Sequence, residues 1–150
     1  MKILVIHGPN LNLLGTRDPS VYGRKTLAEI DEALKAKADE LGCELVTYQS
    51  NSEGSLIDFI QQESASGIDG LIINPAALTH YGLSLREALA CVSVPIIEVH
   101  ISNIYAREPW RAESVIAPVA TGQIAGLGWR GYLLALQALV EMSATPSRYI

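Results

Sequence analysis

The sequence predicts an α/β protein built on an open, doubly wound parallel sheet of five strands with helices on both faces. Three observations carry that expectation. Short apolar runs at residues 3–6 and 71–73, and at 95–99 apart from Glu98, are continuous rather than alternating, the pattern of strands buried on both sides. Segments with apolar residues at helical spacing separate them through short links, and strands alternating with helices give a parallel sheet. No repeat, low-complexity tract or Pro/Gly/Ser-rich linker divides the 150 residues, a length that suits one domain.

Ile3, Leu4, Val5 and Ile6 make the first strand, followed by a polar loop with Gly8, Pro9, Gly15, Pro19 and Gly23. Thr26, three positions before Glu29, signals a helix start; Leu27, Ile30, Leu34, Ala38 and Leu41 continue the helix and Gly42 stops it. Leu45, Val46, Thr47 and Tyr48 form a second strand, and Leu56, Ile57 and Ile60 one face of a helix ending near Gly67. Residues 71–73 give the third strand, 83–91 a short helix, 95–99 the fourth strand and 114–119 a weaker fifth. Tyr132, Leu133, Leu136, Leu139 and Val140 belong to a last helix. Five strands at this chain length suit the flavodoxin-like order 2-1-3-4-5.

Charge and cysteine content narrow the function classes. With 11 basic against 16 acidic residues the net charge is −5, which argues against a general nucleic-acid or anionic-membrane binder. A composition 49% apolar and 18% charged excludes a disordered tail. No apolar run approaches the ~18 residues of a membrane span, and the N-terminus lacks the length and cleavage site of a secretory leader. Cys43 and Cys91 have no C-x-x-C spacing and read as free, buried thiols of a reducing compartment. The expectation is a cytoplasmic protein acting on a small molecule, with neither nucleic acid nor membrane as partner.

In an open α/β sheet, ligands bind beyond the carboxyl ends of the strands, where the strand order reverses. The first strand runs into His7, Gly8, Pro9 and Asn10, the third into Asn74 and then His80, the fourth into Glu98, His100 and Ser102. A lone asparagine there is commonly a turn former, but three polar strand ends at one edge point to a site. Glu98 and His100, two apart on a strand, share a face, so the carboxylate would orient the imidazole and favour its protonated form. The competing reading is a histidine held by a structural partner. The loop carrying Arg17 and Tyr22 leaves the same edge, bracketed by Gly15 and Gly23 as hinges of a lid. An arginine beside a tyrosine favours the phenolate and would make it a base; the other reading is a packing aromatic, with Arg17 paired to Asp18. Arg107 and Arg111 are candidate anion clamps or solvated positions.

Gly126, Gly128 and Gly131 fit G-x-G-x-x-G ahead of a helix, but a dinucleotide fingerprint needs a further strand and an acid about 20 residues on, so the match reads as turn chemistry. His80, His100 and Glu98 lack paired-histidine metal spacing, and Lys2, Lys25, Lys35 and Lys37 lack the apolar strand-end setting that imine chemistry requires. No metal or cofactor is expected.

Four runs in order now carry a resemblance. They are residues 8–15 (GPNLNLLG) with Arg17, Tyr22 and Gly23; Asn74-Pro75-Ala76-Ala77 with Thr79 and His80; Glu98-Val99-His100-Ile101-Ser102-Asn103; and Arg107-Glu108-Pro109-Trp110-Arg111. Together with Gly122, Gly126, Gly128 and Tyr132 they resemble the type II 3-dehydroquinate dehydratases. The resemblance implies one flavodoxin-like catalytic domain over 1–142 with a tail at 143–150, and a dodecamer built from trimers. It implies cofactor-free loss of water from 3-dehydroquinate, through an enolate, to give 3-dehydroshikimate in the shikimate pathway. Tyr22 would remove the C2 proton, Arg17 would keep it ionised, and Asn10 would hold a water against the enolate. His100, oriented by Glu98, would protonate the departing hydroxyl. Asn74, His80 and Arg111 would bind substrate hydroxyls, and the backbone amides of Ile101 and Ser102 the carboxylate. Glu87 stands where the family usually has an aspartate that reaches a neighbouring subunit's substrate. A nucleotide- or flavin-binding module without chemistry is the rival; it would not need Arg17, Tyr22 and His100 together.

Overall fold

The apolar run that opens the chain becomes β1 (Lys2–His7) in the computed structural model, which describes residues 1–144. The pleat sends Ile3 and Val5 to one face of the sheet and Leu4 and Ile6 to the other. β2 (Glu44–Gln49), β3 (Gly70–Asn74), β4 (Ile96–His100) and β5 (Gly122–Ala125) complete a parallel sheet in the order β2-β1-β3-β4-β5. Helices α2 (Leu27–Leu41) and α5 (Arg130–Ala144) pack Ile30, Leu34, Leu136 and Leu139 on the first face, with Ile72 and Val99. Helices α3 (Glu53–Ser66) and α4 (Leu83–Ala90) pack Leu56, Ile60, Leu85 and Leu89 on the second, with Leu71 and Ile73. Burial on both faces is why β1 and β3 read as unbroken apolar runs, and truncating a side chain such as Ile72 to alanine costs about 2–5 kcal/mol. Among the described residues no helix is long and apolar enough to cross a membrane.

Local signals in the sequence act as expected at α2. The Thr26 hydroxyl accepts the Glu29 N–H at 3.2 Å while the Glu29 carboxylate accepts the Thr26 N–H at 3.4 Å, and Gly42 closes the helix at φ 73°. Gly8, just beyond β1, donates its N–H to the Asn74 carbonyl at 2.8 Å. A Cβ there would stand 2.4 Å from the Pro75 carbonyl oxygen, so only glycine lets the ends of β1 and β3 close on each other.

Three expectations need correction or limit. The fifth strand is Gly122–Ala125, not residues 114–119. Pro118 sits in a 3₁₀ turn, Ala117–Val119, and the Ser114 hydroxyl accepts the N–H groups of Ile116 and Ala117, so this segment curls instead of pairing. Ile116 is nonetheless fully buried, which is why the segment looked strand-like. Cys43 is buried, but Cys91, at the C-cap of α4, is exposed; both thiols are free. Of the expected tail at 143–150, the first two residues finish α5 and the rest lie outside the described residues.

Candidate active site

The strand order reverses between β1 and β3, and the polar residues that end these strands and β4 lie side by side. His7 and Asn74 are register partners, and His7, Asn74, Glu98 and His100 are all at most 5% exposed. Such groups tolerate burial only with partners, and each has them.

Glu98 is the most heavily engaged. Its Oε2 accepts from His100 Nε2 at 2.6 Å and from the Gln123 amide, and its Oε1 accepts the Ser114 hydroxyl proton at 2.8 Å. With both lone pairs of its oxygen taken by backbone N–H groups, Ser114 can only donate in this contact. Burial alone would raise the Glu98 carboxyl, but the donors from His100, Gln123 and Ser114 outweigh it and hold the group below its ordinary value. A carboxylate acceptor requires His100 to carry its proton on Nε2, which leaves Nδ1 for the cleft.

The opposite wall comes from loops. Helix α1 (Pro19–Tyr22) is a single turn capped by Asp18, whose carboxylate accepts the Ser20 N–H at 3.0 Å. It presents the Tyr22 phenol to two guanidinium groups: Arg17 Nη2 and Arg107 Nη2 each donate to the phenol oxygen at 3.0 Å. Arg17 also stands 4.0 Å from the ring centroid, and Arg107 donates a second bond to the Ser102 hydroxyl at 3.0 Å. Two cationic donors on one oxygen stabilise phenolate charge.

Asn10, Arg17, Tyr22 and Asn74 line one cleft with His80, His100, Ile101, Ser102 and Arg111. Glu98 lies beneath His100 rather than in the wall. Glu87 is exposed on α4 and does not join them in this chain. His80 Nδ1 donates to the Glu113 carbonyl at 2.7 Å, freeing Nε2 as an acceptor, and its ring meets the edge of Trp110. Arg111 lies over Trp110 and pairs with Glu108 at 3.0 Å. Among the described residues, Asn10 (φ 70°) and Ala76 (φ 54°) are the ones other than glycine with positive φ, and both line the cleft.

Arg107 was legible only as a possible clamp, not as the second cation on Tyr22. Ser114 and Gln123 gave no signal; Gln123 faces Glu98 because β5 pairs with β4 in that register. Gly126 and Gly128 adopt φ 88° and 63° and donate their N–H groups to His100 and Ile101 carbonyls, the turn chemistry expected of that glycine run.

The family model described as Dehydroquinase class II matches residues 1–140. A 3-dehydroquinate dehydratase of Roseiflexus castenholzii is 66% identical over 140 residues, covering 93% of this chain and 88% of that protein. One of Pelotomaculum thermopropionicum is 54% identical over 145 residues, covering 97% and 100%. The solved type II dehydroquinase of Butyrivibrio crossotus matches at a TM-score of 0.91 and 47% identity, covering 93% of this chain and 97% of that one. A match over this much of the sequence, on the fold and around the cleft just described, means that the chain belongs to the class II dehydroquinase family.

Proposed function

We propose that this cleft removes water from 3-dehydroquinate to give 3-dehydroshikimate, the work of a hydro-lyase in the shikimate pathway. One observation carries the chemistry: a phenol held by two guanidinium groups and an imidazole held by a buried carboxylate share one cleft. Tyr22, as phenolate, takes the C2 proton next to the C3 carbonyl, and the C–H electron pair moves into an enolate. As the carbonyl re-forms, that pair becomes the C1–C2 double bond and the C1–O bond breaks. His100, protonated and held by Glu98, gives its Nδ1 proton to the leaving hydroxyl, so water departs. The proton on Tyr22 and the one missing from His100 are exchanged with solvent before the next turnover. Each acid–base group contributes about 10²–10⁴-fold.

Arg17 and Arg107 stabilise the phenolate, and Asn10 holds a water against the enolate oxygen. Asn74, His80 and Arg111 bind substrate hydroxyls, and the amides of Ile101 and Ser102 the carboxylate. Every proton transfer falls to a side chain of the protein, so the scheme uses no cofactor. Residues 1–142 act as one catalytic domain, in the cytoplasm, within a dodecamer of trimers. The exposure of Glu87 supports its reaching a neighbouring subunit's substrate. The binding-module reading is not favoured, given the family.

The test is direct: purified protein mixed with 3-dehydroquinate develops the ultraviolet absorbance of the conjugated enone product. A folded protein that gives no such absorbance overturns the reading. Sedimentation at the monomer mass removes the shared-site role of Glu87.

A further inference from the structure

Behind the cleft lies a polar chain that the proposed chemistry leaves unused. His7 is fully buried at the end of β1, and Tyr132 is fully buried on α5. His7 Nδ1 lies 3.1 Å from the Tyr132 hydroxyl, and His7 Nε2 lies 2.8 Å from Asp31 Oδ1 on α2. The Tyr132 oxygen in turn accepts from Asn74 Nδ2 at 2.9 Å, and Asn74 Oδ1 accepts the Ala76 N–H at 3.1 Å.

Hydrogen-bond accounting gives this chain one direction. The Ala76 N–H fixes which end of the Asn74 amide is oxygen, so the nitrogen faces Tyr132 and donates. The tyrosine hydroxyl, out of reach of water, needs an acceptor for its own proton, and His7 Nδ1 supplies it. His7 then carries its proton on Nε2 and donates to the Asp31 carboxylate. Each bond then has one donor and one acceptor: Asn74 to Tyr132, Tyr132 to His7, His7 to Asp31. Asn74 is thereby gripped at both ends of its amide, with one N–H and one lone pair left over at a position lining the cleft.

We infer that Tyr132 and His7, anchored by Asp31, are positioning residues that hold the Asn74 amide in the orientation that binds substrate. The inference rests on the proposed function, in which Asn74 contacts a substrate hydroxyl. Neither residue touches substrate. Their effect passes through Asn74 and falls on binding rather than on proton transfer.

A double-mutant cycle tests this. Tyr132→Phe keeps the ring and removes the hydroxyl, so Asn74 Nδ2 loses its acceptor. It raises KM for 3-dehydroquinate by about 10-fold, the weight of one well-formed hydrogen bond, with kcat changed by less than about 3-fold. In an Asn74→Ala background the same substitution leaves KM unchanged, since there is no amide left to orient. His7→Leu repeats the pattern more weakly, and His7→Asn, which restores an acceptor near the tyrosine proton, recovers part of the loss. If Tyr132→Phe does not fold, the His7 pair carries the same cycle. An unchanged KM in a folded Tyr132→Phe enzyme, or an equal rise with and without the Asn74 amide, overturns the inference alone. A wild-type protein that never forms the enone overturns the proposed function and this inference with it.

Discussion

The two walls of the cleft are built on different principles. The acid wall grows from strand ends: Asn74 and His100 sit in the sheet with Glu98 beneath His100, all nearly unexposed, and their positions follow from ladder register. The base wall grows from loops: Arg17, Tyr22 and Arg107 are half-buried and are held chiefly by one another, through two bonds that meet at a single phenol oxygen. A side chain set by a sheet is part of the core, so disturbing it costs stability as well as chemistry. One set by a loop can be removed with little harm to the fold, and the loop can open to admit substrate.

Losing the base or the acid costs the enzyme most. Tyr22→Phe and His100→Ala each lower kcat by at least about 100-fold, the low end of what one acid–base group supplies. They differ in stability. Tyr22→Phe unfolds at the wild-type temperature, whereas His100→Ala strips a donor from the buried Glu98 carboxylate and costs about 1–3 kcal/mol. Thermal melts beside turnover assays read both. Equal melting temperatures for the two variants would remove the distinction between the walls.

Next in size is the arginine pair. Removing either cation withdraws a charged donor from Tyr22, so Arg17→Met and Arg107→Met each slow turnover by about 10-fold or more. Because both act on one oxygen, the double variant departs from the product of the single effects. A rise in KM with kcat unchanged would make these arginines substrate grips only.

What was legible in the sequence divides along the same line. The strand runs and the Glu98–His100 pair could be seen, because period-two alternation places residues two apart on one face without any tertiary knowledge. The fifth strand was misplaced because Val115, Ile116 and Val119 are apolar and partly or fully buried, while the true strand, Gly122–Ala125, has one large apolar residue and lies at the sheet edge. Partners fixed by register or by distant packing left no trace. Gln123 meets Glu98 across a strand pair, and Tyr132 meets His7 from 125 positions away. Arg107 was visible as a charge, but which oxygen it serves depends on a loop path that no spacing encodes.

Smaller effects sharpen the account of the acid wall through pH. The Glu98 carboxyl is held below its ordinary value in the folded protein, so its contribution to stability is complete above the ordinary carboxylate range. That contribution is lost as pH falls through the lowered folded value. Glu98→Gln cannot titrate, so urea midpoints measured from neutral pH down through that window fall less steeply than those of the wild type. Parallel curves would mean that Glu98 is not held as its three donors indicate.

A weaker effect lies at the alkaline end, in the polar chain behind Asn74. Burial raises the Tyr132 phenol above the ordinary value of 10.0, a direction the hydrogen bond from Asn74 opposes but does not reverse. A group raised on folding stabilises fully below its unfolded value and loses that contribution as pH climbs toward the folded one. Below pH 10 Tyr132 therefore adds no pH dependence. Above it, the unfolded chain ionises and the folded chain does not, at about 1.4 kcal/mol for each unit. Other tyrosines and the lysines titrate there too, so the informative quantity is the difference between wild type and Tyr132→Phe. The variant starts less stable, through the lost hydroxyl bonds, and the gap between the two denaturation midpoints narrows as pH rises past 10. A gap that stays constant across that range would mean that Tyr132 ionises as readily in the folded protein as in the unfolded one, and that the hydroxyl behind Asn74 is not sealed from water.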